Sequence, residues 1–195
     1  MKKWIIIGGI LLVVLLIYSS ISGSYNKMVQ KDEAVKSQWG TVESAYQRRL
    51  DLIPNLVNTV KGYADFEKTT LTQVIEARAK ATQVTIKADN LNAESMQKFQ
   101  AAQGELSGAL SRLLVTVEQY PNLKANENFM DLQKQLEGTE NRIAVERRRF
   151  NEMAQEYNTF IRQFPKNIWA NLFGFEKKVY FEAEQGAEKA PKVTF

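Results

Sequence analysis

Two residue types are missing from this chain of 195 residues, which contains neither cysteine nor histidine. Their absence excludes disulfides, thiolate nucleophiles, His-based catalytic triads and metal sites built from His or Cys. Only carboxylates, hydroxyls, lysine, arginine and tyrosine remain to carry chemistry. We therefore predict no catalytic residues, no metal ligands and no cofactor, and a protein that is not an enzyme.

Helix-breaking residues are also scarce, with four prolines and ten glycines, while 25% of the residues are charged. This balance is typical of an ordered helical protein. The 26 basic residues are interleaved with 22 acidic ones, so the net charge of +4 indicates solvated helix faces. A nucleic-acid partner would need a clustered basic surface. We predict no nucleic-acid binding.

One long apolar run stands at the N-terminus, from Trp4 to Tyr18, interrupted by Gly8 and Gly9. Extended to Ile21, it falls within the 17 to 25 residues, roughly, that span a bilayer as a helix. We predict contact with the lipid bilayer through residues 4–21.

A cleaved signal peptide is the alternative, since the start is basic and small residues follow the apolar run. The absence of an Ala-x-Ala site favours a retained anchor. Lys2 and Lys3 precede the run, whereas Lys27 and Lys31 after it are diluted by acidic residues. This asymmetry favours a cytoplasmic N-terminus, with the rest of the chain exported.

The pattern after residue 23 is one of apolar residues at steps of three and four, interrupted at Pro54. Proline disfavours helical geometry in the residue before it and suits the first turn of a new helix. A turn at Pro54 is the first interpretation, with Arg48 and Arg49 capping the preceding helix; one long helix kinked at Pro54 is the alternative. Four helices are predicted at about 24–52, 54–85, 92–120 and 126–164.

Apolar residues that recur at steps of three and four along a whole helix are typical of the contact stripe in a helical bundle. The predicted fold is all-α: a single N-terminal transmembrane helix followed by an antiparallel up-and-down four-helix bundle. We expect a membrane anchor at 1–23, the bundle at 24–164, and a short amphipathic segment and polar tail at 165–195.

Four polar residues fall on the inward stripes of these helices: Glu67, Gln103, Thr139 and Glu146. We predict that they form a buried polar layer. Its structural interpretation is local pairing that fixes helix register. Its functional interpretation is a carboxylate site, although such sites in helical bundles also recruit histidines.

The segment that follows Pro165 mixes large apolar residues with lysines, a composition typical of an interfacial helix. An up-and-down bundle would return this segment to the bilayer surface. The alternative is that it covers the end of the core. The candidate residues for membrane or partner contact are Ile168, Trp169, Leu172, Phe173, Phe175, Lys177 and Lys178.

Residues 48–63 read RRLDLIPNLVNTVKGY, preceded by EAVKSQW at 33–39 and followed by EARA at 76–79, RRFN at 148–151 and FGF at 173–175. In this order they resemble the LemA family of bacterial membrane-anchored helical proteins, over nearly the whole chain. The resemblance implies an antiparallel four-helix bundle behind one membrane segment. It implies little about activity, because the family has no agreed biochemical function.

These observations lead to one functional hypothesis and one alternative. The hypothesis is a non-enzymatic protein of the bacterial cell envelope with an interaction or scaffold role, anchored once in the inner (cytoplasmic) membrane with its bundle on the periplasmic or outer side. A protein partner or a homo-oligomer is expected. The alternative is a module that binds a lipid or anionic ligand through the bundle core or the aromatic C-terminal segment.

Overall fold

The computed structural model describes residues 2–63 and 67–182. Most of these residues are helical and none forms a strand, which confirms the predicted all-α class and the long apolar N-terminal helix. The elements are α1 (Lys2–Lys61), α2 (Lys68–Gln83), a 3-10 turn (Ala88–Asn90), α3 (Ala93–Val117), α4 (Pro121–Lys124), α5 (Glu127–Arg162) and α6 (Lys166–Leu172).

Helix α1 is a single helix of 60 residues with Pro54 inside it, so the predicted turn at Pro54 is wrong. Proline cannot donate a backbone hydrogen bond to the carbonyl four residues earlier, which here belongs to Leu50. The side chain of Arg78 supplies the missing donor, because its Nε lies 3.0 Å from the Leu50 carbonyl oxygen. The helix therefore continues through the proline and ends at Lys61.

The exposure of α1 changes abruptly along its length. The large apolar residues from Ile6 to Tyr18 are all more than half exposed, whereas Met28 is completely buried. The exposed part is long and apolar enough to cross a membrane, by length and composition. At 1.5 Å per residue the whole helix is about 90 Å long, so one rod joins this part to the protein core.

Helices α1 and α5 lie side by side in opposite directions. Lys31 of α1 contacts Glu156 of α5 at 3.1 Å, and Arg49, further along α1, contacts Glu140 earlier in α5 at 2.7 Å. The end of α5 is thereby brought back alongside the start of the folded part of α1.

Helices α2 and α3 form a second antiparallel pair. Lys80 lies 2.7 Å from Glu105, and Gln73 lies 3.1 Å from Arg112. The 16 residues of α2 are too few to accompany α1 along its full folded length. Other segments cover the folded part of α1 that lies nearer its apolar N-terminal end.

The core consists of two clusters. The upper cluster, at the end of the molecule where α1 ends, lies among α1, α2, α3 and α5 and includes Ile53, Val74, Leu113 and Phe129. The lower cluster is the one nearer the apolar N-terminal part of α1. The lower cluster lies among α1, α3, α5 and α6, with residues from the α2–α3 connection and the C-terminal segment; it includes Trp39, Ile86, Phe99, Phe150 and Phe181.

Side-chain caps fix the starts of α3 and α5. Asn92 and Ser95 form a reciprocal capping box at the start of α3. Asn126 accepts a hydrogen bond from the backbone N–H of Phe129 at 3.1 Å, and asparagine is a favoured residue at this position. Beyond Glu182, the predicted polar tail lies outside the described residues.

Candidate functional site

Arg49 lies buried between the two core clusters, with 1% of its surface exposed. Its guanidinium donates to the Ser107 hydroxyl at 2.8 Å, to the Glu140 carboxylate at 2.7 Å and to the side-chain oxygen of Gln103. One side chain of α1 is thereby bound to both α3 and α5. The predicted capping role of Arg49 is wrong, because α1 does not end near this residue.

A second buried polar contact joins α1 to α5 closer to the apolar N-terminal part of α1. The amide Nε2 of Gln38 donates to Glu146 Oε2 at 2.8 Å, and Glu146 is 4% exposed. Arg149 Nη1 and Arg142 Nε approach the same carboxylate at 3.3 and 3.9 Å. An amide and two cations compensate this buried charge, which is the local pairing expected of a structural carboxylate.

The four residues of the predicted polar layer are not brought together. Gln103 and Glu146 belong to the two separate contacts above, and Thr139 is buried but donates to the Gln135 carbonyl of its own helix at 2.7 Å. Glu67 is exposed and stands just before α2. Its predicted burial is wrong because the chain reverses after Lys61 rather than at Pro54, which changes the register of the second helix.

The chain after α6 is extended, and we call residues 175–182 the C-terminal strap. Two asparagines of α5, one heptad apart, hold it. Asn158 donates to the carbonyl and accepts from the N–H of Lys178, both at 2.8 Å. Asn151 does the same with Phe181, at 3.0 and 2.8 Å. Each amide satisfies both backbone groups of one strap residue, as a neighbouring strand would.

The strap completes the lower core with an aromatic side chain. Phe181 is 5% exposed and stacks on Trp39 with a ring-centroid distance of 5.8 Å. Its ring also meets the edge of Phe150 at 5.5 Å, and Arg147 lies over it at 4.9 Å. Without Phe181, the fully buried Trp39 would face water.

Ion pairs tie the strap to α1. Lys178 Nζ lies 2.6 Å from Asp32, which also binds Lys36 at 3.2 Å. Lys36 reaches Asp89 of the 3-10 turn at 2.9 Å. Hydrogen bonding to Asp89 and Asp32 raises the pKa of Lys36, and the pKa of Asp89 is lowered by its bond to Lys36. The cluster joins three segments distant in sequence.

The predicted contact segment lies next to the end of the apolar run. The ring of Phe173 is 5.1 Å from that of Tyr25, and the ring of Phe175 is 5.6 Å from it. Ile168, Leu172 and Phe173 are about half or more exposed. The other predicted residues divide: Trp169 packs partly against the lower core, Lys178 pairs with Asp32, and Lys177 is exposed.

The core gives no support to a ligand site between the helices. Trp39 is fully enclosed and Glu146 is engaged by Gln38. An open surface groove of about 520 Å³ lies between α1 and the end of α2, lined in part by Glu43, Tyr46 and Arg48. Within residues 2–63 and 67–182, no group of three or more acidic side chains could hold a metal ion.

Sequence comparison gives the family. The model of the LemA family matches residues 38–195. Magnetosome protein MamQ 2 of Paramagnetospirillum magneticum is 27% identical, with 87% of this chain and 68% of that protein aligned. Protein LemA of Metamycoplasma hominis is 22% identical, with 94% of this chain and 80% of that protein aligned. The resemblance drawn from the sequence motifs is confirmed, and the chain belongs to the LemA family.

Proposed function

We propose that this chain is a non-enzymatic helical scaffold, anchored once in the bacterial inner membrane by residues 4–21. Its body, residues 24–164, stands on the periplasmic or outer side as an antiparallel four-helix bundle of α1, α2, α3 and α5. Residues 165–195 are its membrane-proximal segment and tail. The body presents its helix faces to a protein partner or to further copies of the chain.

The continuity of α1 carries this proposal. The exposed apolar part and the buried part belong to one helix, and Met28 enters the core only seven residues after Ile21. A rod built in this way sets the distance of the body from the bilayer. A rigid connection of this kind is more typical of a structural scaffold than of a domain on a flexible linker.

The interior supports a structural role. Arg49 and Glu146 are buried, and each is hydrogen-bonded to a side chain of another helix, Glu140 and Gln38 respectively. A catalytic site needs a reactive group that faces a substrate cavity. In the described residues these groups instead join α1, α3 and α5.

Anchorage and orientation can be tested together in a bacterial host. Mass spectrometry of the purified membrane protein should find the full 22.3 kDa chain, whereas signal-peptide cleavage would remove the first residues. Protease added to intact spheroplasts should digest the body. Survival of the body until the cells are lysed would contradict the orientation.

The scaffold role needs a separate test. Photo-crosslinking from exposed body positions in intact cells should give discrete, saturable adducts with one protein or with a second copy. The same crosslinker at a buried position such as Leu106 serves as the control. A body that yields no adduct from any helix face would contradict the proposal.

A further inference from the structure

Four large apolar side chains stand exposed within ten residues at the membrane-proximal end of the body. Ile168 and Leu172 of α6 are 50% and 68% exposed, and they share one side of the helix because they are four residues apart. Phe164, in the turn before α6, is 81% exposed, and Phe173, directly after α6, is 46% exposed. We call Phe164, Ile168, Leu172 and Phe173 the α6 patch.

The patch lies close to the bilayer that α1 would cross. A hydrocarbon core of about 30 Å needs about 20 helical residues, which takes its outer edge to Ile21 or beyond. Tyr25, which contacts Phe173 at 5.1 Å, is four residues further on, or about 6 Å along the helix. The headgroup region is itself roughly 5–7 Å deep on each side. Phe173 is therefore at headgroup level.

The composition around the patch suits an interface between lipid and water. Trp169 and Lys166 lie in the same short helix, and Lys177 follows the patch in sequence. Tryptophan and phenylalanine beside lysine are the residues that interfacial helices use. At the opposite end of the body, Val115 is also 68% exposed, but Leu113 and Val117 on either side of it are buried.

We propose that the α6 patch is a second membrane contact, seated in the headgroup region of the bilayer that residues 4–21 span. This proposal rests on the proposed anchor. It adds to the anchor a second point of attachment, since α6 packs against both α1 and α5. Two attachments fix the tilt and rotation of the body relative to the bilayer, which one helix alone does not.

Because the chain lacks cysteine, single cysteines give clean spin-label sites. The full chain is reconstituted in vesicles of phosphatidylethanolamine and phosphatidylglycerol at 3:1. Nitroxides are placed at Ile168 and Leu172 in the patch and at Asn171, three residues from Ile168, at the edge of the patch. Leu12 reports the anchor. Val115 reports the far end of the body, about 50 Å away at 1.5 Å per residue.

Collision with oxygen and with a water-soluble nickel chelate measures the depth of each label. Labels at Ile168 and Leu172 should be at least threefold less accessible to nickel than the label at Val115, while remaining accessible to oxygen. The accessibility of the Asn171 label to nickel should lie between the value at the patch positions and the value at Val115. Two patch positions are labelled so that, if one label disturbs the local structure, the other still reports the depth of the patch. Circular dichroism checks the fold of each variant.

The outcomes separate the two proposals. If the Leu12 label is deep and both patch labels are as accessible to nickel as Val115, the second contact is overturned and the anchor stands. If the patch labels are shielded from both reagents, protein rather than lipid covers the patch, and the inference is again overturned. If the Leu12 label itself is open to nickel, the anchor is wrong and the second contact falls with it.

Discussion

Arg78 donates a hydrogen bond from its side chain to the carbonyl oxygen of Leu50, the acceptor that Pro54 leaves without a backbone donor. The bond joins α2 to α1 across 28 positions of the chain. It stabilises a proline-containing turn of α1, because a buried carbonyl with no donor costs free energy. The contact supports the helix at the position where proline removes a backbone donor.

Pro54 and Arg78 should therefore be coupled energetically. Arg78→Ala leaves the Leu50 carbonyl without a donor and should lower the free energy of unfolding by about 1–2 kcal/mol. In Pro54→Ala the backbone N–H of residue 54 becomes the donor, so the same Arg78→Ala change should cost about 1 kcal/mol less. Thermal unfolding of the full chain in detergent, followed by circular dichroism, measures the cycle.

The control for this cycle is Lys80→Ala, which removes an exposed ion pair two residues further along α2. Its effect should be the same with either residue at position 54, to within about 0.5 kcal/mol. If the effects of Arg78→Ala and Pro54→Ala on the free energy of unfolding simply add, as those of the control pair should, the side-chain donor does not replace the backbone donor.

Arg49 should contribute to stability by joining three helices. Arg49→Ala leaves Gln103 and Glu140 without their partner and should lower the free energy of unfolding by about 3 kcal/mol. Arg49→Met fills the volume without the charge and should recover part of this loss. The neighbouring Arg48 is exposed, so Arg48→Ala should cost no more than about 0.5 kcal/mol. Equal effects at positions 48 and 49 would contradict the structural role.

The C-terminal strap should detach when its asparagines are changed. Asn158→Ala removes two hydrogen bonds to Lys178, worth about 2 kcal/mol together, so amide exchange of residues 176–182 should accelerate roughly 30-fold. Hydrogen-exchange mass spectrometry reads this directly. Asn141→Ala, at an exposed site on the same helix, should leave the exchange unchanged. Unchanged exchange in Asn158→Ala would show that other contacts hold the strap.

Glu43 gives a pH-dependent prediction. Burial in the groove between α1 and α2 raises the pKa of Glu43 above its usual 4.5. The ionised form is thus disfavoured in the folded protein, and stability from this residue is lost as the pH rises through the folded pKa. Glu43→Gln should raise the melting temperature at pH 7 and have no effect below about pH 4. Exposed Glu152→Gln is the control. A gain that persists at low pH would contradict this account.

Much of the architecture could be predicted from local patterns. The apolar run, the three-and-four spacing and the cap at Asn126 concern residues close together in the sequence, where helical periodicity determines which side chains share a face. The position of the first chain reversal could not be predicted in this way. It depends on Arg78, 28 positions from Leu50, and no local pattern indicates which side chain will complete a broken helix.

The same limit explains the candidate site residues. Gln103, Thr139 and Glu146 follow from periodicity, which placed them on inward faces. Glu67 was misplaced because its register was counted from Pro54. Arg49 was missed because a charged residue is rarely buried unless its partners, here on two other helices, are known. Asn151 and Asn158 were missed because their partners belong to an extended segment, 30 and 20 positions further along the chain, which no helical periodicity indicates.

The distance between Gln30 and Lys61 tests most directly whether α1 is one rod. Both residues are exposed, and the absence of cysteine allows a doubly spin-labelled chain in lipid vesicles. A continuous helix places the two backbone positions about 46 Å apart at 1.5 Å per residue. A chain that reversed at Pro54 would bring Lys61 level with residue 47 and shorten the distance to about 26 Å. A double electron–electron resonance distribution centred near 46 Å is the result we predict, and one centred near 26 Å would contradict the continuous rod.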